Sequence, residues 1–322
     1  MCFKRRMRYK KYIIIFSIIS ISFLFFLYEK IGEYNDTKRN PPVGNLIDVN
    51  NHKMHIFSKG EGNVTVVFAS GLRCPTAYAD FYPIYNEISK YARVVVYDRP
   101  GHGWSETTYT PRDIDSIVSE IHEALRASGE KPPYILVSHS LGSLEAFRFT
   151  QTYLKEVLGI VMIDSGSPEY YQENSVELSN SKIFFYKLAK YTGIARLLLK
   201  HTSISSRLTA NSLMLLPADL KQLYITMMIK TADNRNIIEE SRMAGVNAKT
   251  VLENGSLGGI PLIIITSEVS NSSEPEWERS QKALKDWSTN SKQIIVKGAG
   301  HSIHQYSPEV INNEISKLIM DR

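Results

Sequence analysis

A chain of 322 residues with 43 % apolar and 22 % charged residues has the composition of a folded globular protein, which excludes an extended disordered chain. At this length α/β enzymes often bury one core, so a single domain is the default expectation. The net charge of +5 is concentrated in Lys4, Arg5, Arg6, Arg8, Lys10 and Lys11; without them the chain is near neutral, which excludes a basic nucleic-acid-binding face on the domain.

Behind this basic tail (1–11), Tyr12 to Tyr28 reads YIIIFSIISISFLFFLY, an uncharged run of about 17 residues, close to the lower limit for spanning a bilayer as a helix. A secretory signal peptide has the same charge and hydropathy pattern, but YEKIGEYNDTK contains no small-x-small cleavage site, so 12–28 is read as an uncleaved transmembrane anchor. The positive-inside rule then leaves the N-terminus in the cytoplasm and the remainder outside the cell membrane. Cys2 and Cys74, the only cysteines, fall on opposite sides of that membrane and form no intramolecular disulfide. Cys2 lies where an acyl group could be attached, although nothing else in the sequence favours it over a plain thiol.

Residues 29–43, ending in Asn40-Pro41-Pro42, read as an extended spacer, and a domain is expected over 44–322. Short apolar runs alternate with helical periodicity, the pattern of a mostly parallel sheet covered by helices on both faces. The expected strands are Leu46 to Val49, Met54 to Ser58, Val64 to Ser70, Arg93 to Asp98, Tyr134 to His139, Leu158 to Asp164, Leu262 to Ser267 and Gln293 to Lys297. The first two flank Asn50-Asn51 and suit an edge hairpin. Ile114, Ile117, Val118, Ile121 and Leu125 form one helical stripe, which places a covering helix at 111–128. From about 166 to 259 the pattern is helical without a strand, around Lys182 to Leu199 and Pro217 to Ala232, and is read as an inserted cap. Its apolar residues, Phe184, Phe185, Leu188, Leu197, Leu198 and Met214 together with Leu216, Tyr224, Met227 and Met228, are candidates to line a pocket, though packing among themselves is the plainer use of any one of them.

The strongest motif is Tyr134-Ile135-Leu136-Val137-Ser138-His139-Ser140-Leu141-Gly142, a strand entering a Ser-x-Ser-x-Gly turn and then a helix. It resembles the nucleophile elbow of the α/β-hydrolase superfamily, in which positions two before and two after the nucleophile must be small. Ser138 stands where a Gly is usual. The resemblance implies an α/β-hydrolase fold, a mostly parallel eight-stranded sheet with an inserted helical cap, in a capped serine hydrolase of esterase or lipase type, with Ser140 as nucleophile. The base that resemblance implies follows the last strand, in Gly298-Ala299-Gly300-His301, with His304 as the alternative.

The third group departs from the commonest family pattern, because Ser267 and Ser270 stand where the turn after the seventh strand carries Gly and Asp. Asp164, after the sixth strand, matches the position used by a minority of the superfamily and is preferred; Glu268 is the alternative acid. The family's oxyanion hole implies the backbone N–H groups of Leu72 and Leu141. Tyr97 to Ser105 resembles the family's Asp-x-x-Gly-x-Gly-x-Ser segment and is assigned a structural role, with Asp98 hydrogen-bonding loop backbone and His102 and His139 also structural.

These residues point to cleavage of a carboxylic ester, or a related acyl bond, in an apolar small molecule through an acyl-enzyme at Ser140. A different class is a catalytically silent binding or receptor protein on the same fold. Epoxide hydrolases of this fold use an Asp nucleophile, which Ser140 does not supply. No metal-ligand cluster and no dinucleotide fingerprint stand out, so no cofactor or metal is expected.

Overall fold

The computed structural model describes residues 2–204, 213–232 and 234–321, with side chains from Lys10 onward, so the side chain of Cys2 lies outside the described residues. The chain divides into two compact units, Met1–Pro41 with Ser179–Leu208, and Pro42–Leu178 with Thr209–Arg322.

Among the described residues, the first unit contains three helices: α1 (Cys2–Arg39), α7 (Asn180–Tyr191) and α8 (Ile194–His201). Over Lys10–Arg39 α1 is long and apolar enough to cross a membrane, with a mean hydropathy of 2.1 in its most apolar stretch. The spacer expected to be extended from Glu29 is instead helical to Arg39. No proline interrupts it before Pro41, the Lys30–Glu33 pair at 2.8 Å spans one turn, and the Asn40 side chain donates back to the Asp36 carbonyl at 2.8 Å. Helix breaks between α7 and α8 at Gly193, whose φ of +72° suits a residue without a Cβ.

The second unit is built on eight strands, β1 (Asn45–Val49), β2 (His52–Lys59), β3 (Thr65–Ala69), β4 (Arg93–Asp98), β5 (Tyr134–His139), β6 (Val157–Ile163), β7 (Leu262–Ser267) and β8 (Ser291–Val296). They form one sheet in the order β1-β2-β4-β3-β5-β6-β7-β8, in which β2 runs antiparallel to both β1 and β4 and the remaining neighbours are parallel. Asn50 and Asn51 turn the β1–β2 hairpin at φ +48° and +66°, the left-handed region asparagine tolerates.

Side chains alternate across the buried strands, so the sheet has a core on each face. Val67, Ala69, Val95, Tyr97 and Leu136 pack on one side with α4 (Ile114–Ala127) and α5 (Ser143–Thr152). Val66, Phe68, Val94, Val96 and Val137 pack on the other with α3 (Tyr82–Ile88) and α13 (Pro308–Met320). The apolar stripe expected on α4 is the stripe it buries, and Asp113 caps its first turn by accepting from Ser116 N at 2.9 Å.

The second unit also holds α2 (Ala77–Asp80), α6 (Pro168–Glu173), α9 (Ala218–Thr231), α10 (Arg235–Glu253), α11 (Glu268–Ser273) and α12 (Pro275–Ala283). The long α10 carries Gly245, Val246 and Asn247 in its interior, residues of weak helix propensity. Its stability comes from tertiary contacts: Asn236 donates to the Thr108 carbonyl and Asn247 to that of Arg112, each at 3.0 Å.

Candidate active site

The turn after β5 puts Ser140 at φ +52°, a strained conformation for a residue with a Cβ, which lifts the hydroxyl clear of the strand. A Cβ on Gly142 would lie 2.7 Å from the Ala69 carbonyl oxygen, so only glycine lets the start of α5 pass the end of β3. Ser138, two residues before Ser140, is fully buried.

Across the pocket from this turn, His301 Nδ1 lies 2.7 Å from Asp164 Oδ2. The imidazole is 45 % exposed and the carboxylate is fully buried, so one end of the pair faces the pocket while the other is shielded from solvent. Asp164 sits just past β6 at φ +38°, and its other oxygen accepts from Ser267 N at 3.0 Å and from Trp277 Nε1 at 3.3 Å. The two extra donors fix the carboxylate in orientation and compensate its burial. Ser267 also donates from Oγ to the Ala299 carbonyl at 2.7 Å, which ties the end of β7 to the loop carrying His301.

The other sequence candidates fall elsewhere. Glu268 opens α11 and accepts from Gly298 N at 3.0 Å, at the base of the His301 loop rather than against the imidazole. His304 is fully buried, its Nε2 3.1 Å from Asp80 Oδ2, and it packs on Phe81 and His139 rather than entering the pocket. His139 lies 3.1 Å through Nε2 from the His301 carbonyl oxygen; burial, with His301 and His304 adding to it, holds its pKa well below the usual histidine value. It is therefore neutral, and Nε2 donates that bond. Asp80, His139 and His304 do converge, with possible ligand atoms within 4.8 Å of one another, a grouping their spacing in the sequence did not suggest. The Asp80–His304 contact and the ring packing account for their proximity.

Asp98 behaves as expected, accepting from Ala77 N and His55 Nδ1, both at 2.8 Å, while a Cβ on Gly103 would collide with it at 1.9 Å. Burial alone would raise the Asp98 pKa, but the bond and charge of His55 carry it below the usual carboxylate value.

Arg99 is the residue that motif reading missed. It is 2 % exposed and donates from Nη1 to the Ser70 carbonyl at 2.7 Å and from Nη2 to that of Gly71 at 2.9 Å, the two residues before Leu72. Its charge is matched by Glu145 on α5 at 2.8 Å and Glu240 on α10 at 3.2 Å. Burial opposes ionisation of Glu240, yet Arg99 and His102 together hold its pKa below the usual range. No local signal marks this group, since its partners are 46 and 141 residues away.

A cavity of about 370 Å³ opens over Ser140, in the range of a small-molecule site, and is lined by Leu72, Leu141 and His301 with Tyr170, Tyr171 and Trp277. The cap residues nominated as pocket lining are not among its described walls. Phe184, Phe185, Leu188, Leu197 and Leu198 are exposed on α7 and α8, and Leu216 and Met227 pack with Trp104. The aromatic wall comes from α6 and α12 instead. A Cβ on Gly166 would meet the Tyr171 ring at 2.6 Å, so that glycine admits the ring beside the pocket. Burial drives the Tyr171 phenol well up in pKa, keeping it neutral, with the nearby Ser140 hydroxyl a smaller opposing influence.

This sheet, elbow and histidine–carboxylate pair define an α/β-hydrolase. The chain belongs to the alpha/beta hydrolase family, whose model matches residues 66–314. It is 34 % identical over 154 residues to the uncharacterized protein YbdG of Bacillus subtilis, covering 48 % of this chain and 47 % of that protein. It is 33 % identical over 122 residues to an uncharacterized protein of Schizosaccharomyces pombe, covering 37 % of this chain and 23 % of the other. The chain thus spans about half or less of the length of these relatives. Among solved structures it resembles an epoxide hydrolase from Vigna radiata, with a TM-score of 0.68 and 19 % identity over 86 % of this chain and 98 % of that one. It also resembles an N-acyl homoserine lactone degrading enzyme, with a TM-score of 0.62 and 17 % identity over 84 % and 99 %. At these identities the likeness is one of fold.

Proposed function

We propose that the protein is a serine hydrolase that cleaves a carboxylic ester, or a related acyl bond such as a lactone, through an acyl-enzyme on Ser140. The observation that carries this reading is the His301–Asp164 pair at 2.7 Å, on the rim of the cavity that also holds Ser140. With Nδ1–H donated to Asp164, His301 presents Nε2 as a base. Nε2 takes the Ser140 proton as Oγ attacks the carbonyl carbon, and Asp164 stabilises the resulting imidazolium. The backbone N–H groups of Leu72 and Leu141 receive the oxyanion, and Arg99 holds the loop that offers the first of them. Collapse of the tetrahedral intermediate expels the alcohol, protonated by His301; water, activated by the same base, then releases the acid and frees Ser140. Tyr170, Tyr171, Trp277 and Leu141 favour an apolar or aromatic acyl group. The assembled pair favours turnover over the silent-receptor alternative.

On the same footing we read Tyr12 to Tyr28 as a membrane anchor, with the basic tail cytoplasmic and the hydrolase unit outside; the length and apolar character of α1 support it. The test of catalysis is fluorophosphonate labelling of the full chain in detergent beside its Ser140→Ala variant. Labelling that disappears in the variant is expected; equal labelling of both would overturn the nucleophile.

A further inference from the structure

The first unit presents an apolar surface that the active site does not use. The turn between α7 and α8 packs directly on α1 where its apolar run ends: a Cβ on Gly193 would lie 2.9 Å from the Phe25 carbonyl oxygen and 3.0 Å from the Tyr28 ring. From there α8 is fixed to α1 by a buried ion cluster. Arg196, 4 % exposed, donates from Nε at 2.8 Å and from Nη2 at 2.9 Å to the two oxygens of Glu29, and from Nη1 to Asp36. Lys200 donates to the other Asp36 oxygen at 2.5 Å. A bidentate, shielded pair of this kind sets both register and orientation, so the hairpin is held at one level of α1.

Two stripes of apolar side chains remain uncovered. α7 carries Phe184, Leu188 and Tyr191 at i, i+4 and i+7, and α8 carries Ile194, Leu197 and Leu198 at i, i+3 and i+4, all between 37 and 61 % exposed. Paired helices with this much exposed apolar surface call for a partner. Their charge indicates which kind, because Asn180–His201 contains, beyond the clustered Arg196 and Lys200, the lysines Lys182, Lys187 and Lys190 and no Asp or Glu.

We propose that the α7–α8 hairpin lies in the interface of the membrane that α1 crosses, its Phe, Tyr and Leu side chains among the acyl chains and its lysines at anionic headgroups. This rests on the reading of α1 as an anchor. An amphipathic, cationic segment pinned where a transmembrane run ends meets both requirements of interfacial binding, apolar area and attraction to anionic lipid.

The test is tryptophan quenching by doxyl lipid in the full chain reconstituted into phosphatidylcholine–phosphatidylglycerol vesicles. The variants are Phe184→Trp, Leu197→Trp and, as a marker of α1, Phe23→Trp. Trp104, Trp277 and Trp287 are all buried, so the wild-type signal can be subtracted. The added emission is expected to fall by about two-fold or more in all three variants. Quenching at Phe23→Trp with none at the two hairpin positions would overturn the proposal while leaving the anchor standing, and would place the hairpin in water or against protein. No quenching at Phe23→Trp would overturn the anchor itself. Adding Lys182→Glu and Lys187→Glu to Phe184→Trp is expected to weaken quenching there; unchanged quenching would remove the electrostatic part of the proposal.

Discussion

The two sides of the proposed active site, one carrying the proposed nucleophile and the other the proposed acid–base pair, are built by different means. The nucleophile side is a local object: one strand, one turn at a positive φ and one helix, all within residues 134–152. The acid–base side is assembled from the ends of β6, β7 and β8 and from α12, with Asp164 and His301 137 residues apart. A local device depends on which residues tolerate a sharp turn, whereas an assembled one depends on hydrogen bonds between distant segments, and the two should fail differently.

The largest effects are expected at the two groups where the sides meet, the proposed nucleophile and its base. Ser140→Ala should lower ester turnover by about a million-fold without loss of fold, and His301→Ala by a comparable factor, because nucleophile and base act as one unit. Steady-state rates with far-ultraviolet circular dichroism check this, and substantial turnover in either variant would contradict it.

The next comparison divides the assembled side. Asp164→Asn should cost about 10,000-fold in kcat by disturbing the tautomer and charge of His301. Glu268→Gln disturbs a single hydrogen bond to Gly298, worth about 1 kcal/mol, and should cost no more than about five-fold. The reverse ranking would transfer the acid's role to Glu268.

Arg99→Met tests whether the nucleophile side is as local as its motif suggests. The substitution leaves Glu145 and Glu240 buried without their cation, and about 3–5 kcal/mol of stability should be lost in a urea titration. A stable variant with normal kcat would mean that the Ser70–Gly71 carbonyls need no such clamp.

A further expected effect is pH dependence through His102, in the same turn. Burial lowers its pKa from 6.5 to about 4. Between those values the unfolded chain binds a proton that the folded chain does not, so stability should fall as pH drops from 6.5 towards 4, by on the order of 3 kcal/mol from this group. Replacing it with His102→Asn should flatten that part of the urea-midpoint profile; an unchanged slope would show that other groups set it.

The same contrast explains how much could be read beforehand. Eight strands, the α4 stripe and the elbow are legible because each is written in consecutive residues or in one period. The Asp164–His301 pair was legible only through resemblance, with Glu268 left open, since no spacing rule brings the end of β6 to the loop after β8. Arg99 and the aromatic wall of Tyr170, Tyr171 and Trp277 were not legible at all. Arg99 stands in a motif read for its glycines, and the wall comes from two short helices flanking the segment whose apolar residues drew attention. Polar residues of α10 hid a long helix for a related reason: Asn236, Glu240 and Asn247 face the interior, where tertiary partners satisfy them.

The most direct test of the central claim is to quench the full chain with acid during turnover of a p-nitrophenyl ester and measure peptide masses. The acyl group is expected on the peptide containing Ser140, accumulating before steady state and absent in Ser140→Ala. Turnover with the acyl group on another residue, or with no covalent intermediate under conditions that give a burst, would contradict it.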